Sequence, residues 1–494
     1  MEIDLIQREI PVWQAERLPR RRTTLSAESV IPDTQQDVKY ILSVRGDLLL
    51  KGKDLSPQGV SVSGEARASV LYLAEDGVSL GTLRLSKPFT LDFETPDPDE
   101  NALPRLSWRL SGLEARILNP RKLAADFAVT ADLEVYRRGT LCLSRELPEG
   151  DWPGLHLQRA EKTELALTGV CEKSFSLREQ FSFPAGKPVP AQIAGEEICF
   201  RVLGCEQVGD RAIVKGEMRL SVWGLSEAGD PVRCCFSSSF SQLMEPGGAA
   251  MDRYRVRIEP SSAWFDFTEA IGGERMLDAE IHAVAQLCVW TREPVQAVTD
   301  AYSTRMPCAC TREARSLLCA QELQNARLSA EERLPMPEDC GDLLAVLPHL
   351  GPPERDGGSL PMSLELLYRT RDGAPAAAKR SLELKGSALP EGAVAGDALL
   401  LSLDARPAGD TLEVRAEAEL PWERQARETL DCLTGLELRE DRAAAPSDLP
   451  ALTLVRPAGE SLWELAKTYH SSEELIEGCN PTGAELLLIP TERA

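Results

Sequence analysis

Gly59-Val-Ser-Val-Ser-Gly-Glu-Ala-Arg-Ala-Ser-Val-Leu-Tyr72 decides the fold class. Small or apolar residues alternate with polar ones, so Val60, Val62, Ala66, Ala68 and Val70 share one face of an extended chain. Period two marks a half-buried strand, because successive strand side chains point to opposite faces. Glu75-Asp76-Gly77 then predicts a hairpin turn, the glycine supplying the backbone freedom that a tight reversal needs. The pattern returns at Ile213-Val-Lys-Gly-Glu-Met-Arg-Leu-Ser-Val-Trp223, closed by Glu227-Ala-Gly229. Val62, Gly64, Glu65, Val70 and Gly77 align without a gap on Val214, Gly216, Glu217, Val222 and Gly229. A third copy runs Leu360-Pro-Met-Ser-Leu-Glu-Leu-Leu-Tyr368 to Arg371-Asp-Gly373.

The repeat extends to both sides of this hairpin. Upstream, Ile31-Pro32, Phe183-Pro184 and Leu334-Pro335 form an apolar-proline entry, placed at a strand start because proline cannot donate to the ladder. Downstream, Leu123, Ala125, Phe127, Val129, Ala131, Leu133 and Val135 predict a long strand with one buried face. Leu277, Ala279, Ile281, Ala283, Ala285, Leu287 and Val289 repeat it, and Leu412, Val414, Ala416, Ala418 and Leu420 give a shorter version. The expected organisation is three tandem antiparallel β modules at 1–150, 151–300 and 301–440. Ala301-Tyr-Ser-Thr-Arg-Met-Pro-Cys-Ala-Cys310 is expected to join the second to the third, and a Pro- and Ala-rich linker spans 441–450.

Beyond the linker, 451–494, the pattern changes. Leu452-Thr-Leu-Val455 reads as a short strand. Ser461 with Glu464 three residues on is a capping box, and Leu462, Leu465, Ala466 and Tyr469 recur at helical spacing. Ser472-Glu-Glu-Leu-Ile-Glu477 predicts a second capped helix, and Leu486-Leu-Leu-Ile489 a closing strand. The tail is a small β-α-α-β unit, and the whole chain is mainly β.

Composition limits function. Of 494 residues 43% are apolar, enough for real cores, and the length suits about three or four domains. A net charge of −23 argues against nucleic acid, and against anionic membranes, bound through general electrostatics. No run is long and apolar enough to predict membrane insertion. The opening Met1-Glu-Ile-Asp lacks a secretory pattern, and thirteen irregularly spaced cysteines suggest free thiols in a cytoplasmic compartment. Cys308-Ala-Cys310 and Cys234-Cys235 lack the four convergent ligands of structural zinc, so no metal or other cofactor is expected. The four histidines, His156, His282, His349 and His470, sit in unrelated contexts, and no nucleophile elbow or phosphate loop accompanies them. No catalytic residue is assigned, and the chain is not expected to be an enzyme. Arg17 and Arg20-Arg-Arg22 read as a solvated strand end that could also dock an acidic partner, and Asn119-Pro-Arg-Lys122 as a turn entering the long strand.

Val455-Arg-Pro-Ala-Gly-Glu-Ser-Leu-Trp-Glu-Leu-Ala-Lys-Thr-Tyr469, with Glu473-Glu-Leu-Ile476, Asn480 and Leu488-Ile-Pro490, resembles a LysM domain. Ser29-Val-Ile-Pro-Asp33 with Asp37 and Ile41-Leu42, Asn119-Pro-Arg-Lys122, and Asp300-Ala-Tyr-Ser-Thr304 make the body similar to the SPOCS domains of spore-forming Firmicutes. SPOCS modules ending in one LysM resemble the clostridial proteins that build the spore envelope. That resemblance implies a scaffold in the mother-cell cytoplasm at the forespore surface and spore coat. Its tail would dock the coat-basement protein, a SpoIVA-like ATPase. LysM domains in general hold N-acetylglucosamine polymers between two loops, so the resemblance implies binding residues at Gly459, Glu460, Ser461 and Leu462 and at Asn480, Pro481 and Thr482. Few residues separate Asn480 from the last strand, and His470 stands where glycine usually ends the first helix, which favours a protein partner. The alternative is an adaptor for peptidoglycan or a chitin-like oligosaccharide. Trp463 and Tyr469 are expected in the tail's core, with Leu465, Leu475 and Ile489.

Overall fold

In the computed structural model the described residues are 2–95, 101–150, 152, 154–184, 186, 188–247, 250–269, 274–354, 357–439 and 450–492. The first copy contains β1 (Glu2–Ile3), β2 (Ile6–Arg17), β3 (Arg21–Val30), β4 (Val38–Ser56), β5 (Gly59–Ala74), β6 (Leu80–Glu94), β7 (Leu103–Asn119) and β8 (Lys122–Glu146). The second contains β9 (Leu155–Ser182), β10 (Pro190–Val208), β11 (Arg211–Ser226), β12 (Pro231–Met244), β13 (Arg253–Glu269) and β14 (Arg275–Ser303). The third contains β15 (Cys308–Pro335), β16 (Cys340–Leu350), β17 (Ser359–Thr370), β18 (Pro375–Lys385), β19 (Val394–Ala395), β20 (Leu399–Ala408) and β21 (Thr411–Leu438). The tail contains β22 (Leu452–Val455), α1 (Leu462–Thr468), α2 (Glu473–Cys479) and β23 (Leu487–Pro490). The 441–449 part of the linker lies outside the described residues.

Each copy opens and closes on a long strand, and the two pair antiparallel along their whole length: β2 and β3 with β8, β9 with β14, β15 with β21. The outer half of this ribbon gains a third strand, β7, β13 or β20. It then packs against a meander, β4-β5-β6, β10-β11-β12 or β16-β17-β18; the first two are separate sheets, and the third is joined to its ribbon where β15 pairs with β18 at Ser329 and Lys385. The alternating faces read from the sequence, such as Leu123 to Val135 and Leu277 to Val289, fill these three sandwich cores. Two-sheet burial is why one face of each strand must be apolar.

The copies also share irregularities. Ladder shifts fall between Ile41 and Ser43, Ile193 and Gly195, and Leu343 and Ala345. A second set falls between Leu110 and Gly112, Pro260 and Ser262, and Leu400 and Ser402, opposite equivalent residues of the closing strands. Bulges bend a strand at a defined place, so their recurrence marks one design used three times. Gly77, Gly229 and Gly373 have φ of 74°, 81° and 84°, and each donates its N–H to the carbonyl three residues earlier. Gly64 and Gly216 leave room for the rings of Phe89 and Phe240, their partners on the next strand. In the third copy Leu360 and Leu384 fill the same place.

Two sequence expectations change. The proline entries are exits: Pro32 and Pro184 follow the ends of β3 and β9, and Pro335 is the last residue of β15. Lacking an N–H, each proline stops its ladder rather than starting the next. The stretch 301–310 is mostly strand, since Ala301–Ser303 complete β14 and Cys308 opens β15. Arg121 in the 119–122 turn clamps the segment after β3, donating to the Ile31 and Gln35 carbonyls and to the Asp33 and Asp37 carboxylates at 2.8–3.0 Å. Asp33, Asp37 and Arg121 thus form a structural latch.

The inner halves of the three ribbons pack on one another. Ile10 and Leu143, Val295 and Ala297, and Leu317, Leu430 and Cys432 share one core, each group from a different copy. The meanders converge as well: Leu71, Trp223 and Leu367, at equivalent positions of β5, β11 and β17, meet in one cluster. The chain is therefore built like a trimer in a single polypeptide. Its junction is not symmetric. Equivalent register pairs are Arg105 with Glu134, Arg255 with Cys288, and Val394 with Glu423. The second copy has a cation without its acid and the third an acid without its cation, and Arg255 reaches Glu423 at 2.7 Å. Glu134 is held by Arg17 and Arg105, each at 2.7 Å, and by the Tyr136 hydroxyl at 2.9 Å. Burial alone would raise its pKa, but Arg105, Arg255, Tyr136 and Arg17 bring it down to about 2.

Candidate functional site: the docked tail

Local sequence fixes the tail. Ser461 Oγ accepts the Glu464 N–H at 3.2 Å, and Glu464 Oε2 accepts the Ser461 N–H at 2.8 Å, the expected capping box. At the other end His470 has φ 52°, the one positive value among described non-glycine residues, and the Ser471 N–H bonds the Ala466 carbonyl at 2.9 Å. That is a Schellman stop, with histidine accepting about 1 kcal/mol of strain where glycine would have none. Ser472 Oγ caps α2 by accepting the Leu475 N–H at 3.2 Å.

The core holds Trp463, Leu465, Ala466, Ile476 and Ile489, with Leu462 and Tyr469 half-buried. Leu475, expected in that core, is exposed, and the turn of α2 puts Ile476 inside instead. Tyr302, at the end of β14, completes this core from the body: its ring meets Trp463 edge-on at 4.7 Å, and its hydroxyl donates to the Ser471 carbonyl at 2.8 Å. Asp300 receives the Trp463 indole N–H at 2.9 Å and the Lys467 ammonium at 2.8 Å, and pairs with Arg312. Burial works to raise the Asp300 pKa, but the Lys467 and Trp463 bonds outweigh it and hold the carboxyl below its ordinary range. His156 stacks on Tyr302 at 5.0 Å and contacts the Glu492 carboxylate at 2.7 Å. The tail is seated on the second module through Asp300 and Tyr302, residues that sequence alone placed in a motif and a connector.

The loop residues divide. Gly459, Glu460 and Ser461 are exposed, Gly459 at φ 112°, and Glu460 accepts the Ala458 N–H at 2.6 Å. Pro481 and Thr482 are exposed in a tight turn closed by the Ala484 N–H on the Pro481 carbonyl. Leu462 is half-buried on the core side. Asn480 faces inward: its amide donates to the Ile476 and Leu488 carbonyls at 2.7 and 2.8 Å and accepts the Leu488 N–H at 2.7 Å. It staples α2 to β23, and all three bonds are internal.

One feature was not singled out in the sequence. Leu454 and Leu488 lie directly opposite across the β22–β23 pair, at 60% and 38% exposure, flanked by exposed Leu452 and Leu486. Apolar residues on both faces of each short strand, Leu454 beside Val455 and Leu488 beside Ile489, were the available signal, since one face suffices for the core.

The other candidates resolve locally. Cys234 is buried and Cys235 exposed, on opposite faces of β12. Cys308 and Cys310 share a face with sulfurs 3.7 Å apart, and a hydrogen bond from the Cys308 thiol lowers the pKa of Cys310. All thirteen cysteines are free thiols. Among the described residues no three His, Cys, Asp or Glu side chains converge as a metal site, and no helix is long and apolar enough to cross a membrane. Arg17 pairs with Glu134 and Arg20 with Asp132, both at 2.7 Å, so the arginine run is partly spent inside the first module. Comparison with known proteins finds no matching family model and no matching curated protein.

Proposed function

We propose that this chain is a non-enzymatic scaffold of the SPOCS–LysM kind in assembly of the bacterial spore coat or envelope, its tail docking a coat-basement protein at the forespore surface. The family resemblance of the sequence supplies the setting. The observation that carries the tail's role is the exposed leucine face of β22 and β23 beside two exposed loops. Contiguous apolar side chains left in water mark a surface that a protein partner covers. Asp300 and Tyr302 hold the tail at Trp463 and Ser471 and leave the leucine face and loops exposed. A glycan groove would need free amides, whereas the Asn480 amide is engaged within the tail. Affinity capture with the intact chain tests this: it should retain a SpoIVA-like coat-basement ATPase and leave insoluble peptidoglycan unbound through the tail. Retention of peptidoglycan that is lost on changing Pro481 and Thr482, with no ATPase bound, would reverse the assignment.

A further inference from the structure

The outer face of the second module carries an exposed tryptophan that its two sisters lack. Trp264 on β13 is 59% exposed, beside His282 on β14, their rings edge to face at 5.0 Å. The equivalent positions in the first and third copies, from the shared register of β7, β20 and the closing strands, are Glu114 and Ala128, and Asp404 and Glu417. Glu114 and Asp404 are also exposed. The fold therefore accommodates a carboxylate there, and the indole is not needed to build the module. Its large apolar ring is therefore free for a ligand to cover.

The surroundings indicate what covers it. Three successive outward rungs of the sheet are Ser262, His282 and Ser176; Trp264, Glu280 and Arg178; and Asp266, Asp278 and Gln180. Glu280 binds both His282 and Arg178 at 3.0 Å, and Gln180 donates to Asp278 at 2.8 Å. The result is a polar array about 14 Å long on rungs about 7 Å apart, with the Trp264 indole at the edge-strand end of the middle rung. An apolar plate bordered by polar side chains matches a pyranose ring, whose C–H face is apolar and whose rim carries hydroxyls. Asp266, Asp278 and Glu280 outnumber Arg178, which disfavours an anionic sugar.

We infer that the outer face of β9, β13 and β14 binds a neutral hexopyranose chain, with Trp264 as the stacking plate and Arg178, Glu280 and His282 as hydrogen-bonding groups. This site is separate from the tail and does not rest on the tail's proposed partner. The test is calorimetric titration of the intact chain with N-acetylglucosamine tetramer and with cellotetraose. Saturable binding of at least one is expected, and Trp264→Glu, which installs the side chain of the first copy, should weaken it at least about tenfold with an unchanged unfolding midpoint. Leu454→Glu in the tail should leave it unaltered. Failure of both tetrasaccharides to bind saturably, or equal binding by Trp264→Glu, overturns the inference. So does binding that disappears with a Pro481 and Thr482 double change instead.

Discussion

Replacing Asp300 by alanine should release the tail from its seat while the three modules stay folded. The carboxylate is 14% exposed and takes the Trp463 indole, the Lys467 ammonium and the Arg312 guanidinium together. A hydrogen bond to a charged acceptor contributes about 1.5–3 kcal/mol, and the largely exposed Lys467 pair adds at most about 1. The tail should therefore open about 2–4 kcal/mol more readily. Native-state hydrogen exchange on α1 measures this directly, because its amides report the opening free energy of the tail. Exchange there should accelerate by roughly 30-fold to 1000-fold, with β8 and β21 unaffected. Asp300→Asn retains an acceptor for the indole and loses only the charge, so its effect should be smaller. An α1 exchange rate within about twofold of the parent chain would show that the seat is not made at Asp300.

Asn480→Ala removes three internal hydrogen bonds and should destabilise the tail by about 1–3 kcal/mol, seen as early loss of its helical signal on heating, whereas Thr482→Ala should be near neutral. Gly216→Ala would place a methyl 2.4 Å from both the Arg201 carbonyl and the Phe240 ring, so thermal unfolding should show a loss of about 1–3 kcal/mol. Glu134 should contribute roughly 3 kcal/mol of stability above its unfolded pKa near 4.5, lost as pH falls through its folded value of about 2. Glu134→Gln should thus flatten the acid limb of an unfolding-against-pH curve.

The sandwich cores were legible because one face of each strand meets only its own module, so alternation survives in the sequence at residues 123–135 and 277–289. The ribbon halves were not. Their second faces also bury, so Leu317 with Leu318 and Cys432 with Leu433 are buried neighbours in different clusters and show no clean period. Arg255 and Glu423 could be recognised as partners only once the register put Cys288 and Val394 where each copy lacks its own counter-charge. In the tail, capping chemistry predicted both helices because Ser461 and Ser472 act locally. Asn480 gave the opposite lesson: a polar residue at a loop start reads as a contact for ligand, yet its side chain turns inward to close the backbone between α2 and β23. Leu475 and Ile476 show that a short helix leaves the choice of inward residue to the surface it lands on.

The central claim is that the seated tail recognises a protein through its leucine face. The most direct measurement is the affinity of the intact chain for a SpoIVA-like coat-basement ATPase, compared with a Leu454→Glu, Leu488→Glu chain of native spectrum. Saturable binding by the parent, weakened at least tenfold by the double change, is the predicted result. Undiminished binding by the altered chain, or none by the parent, would contradict it.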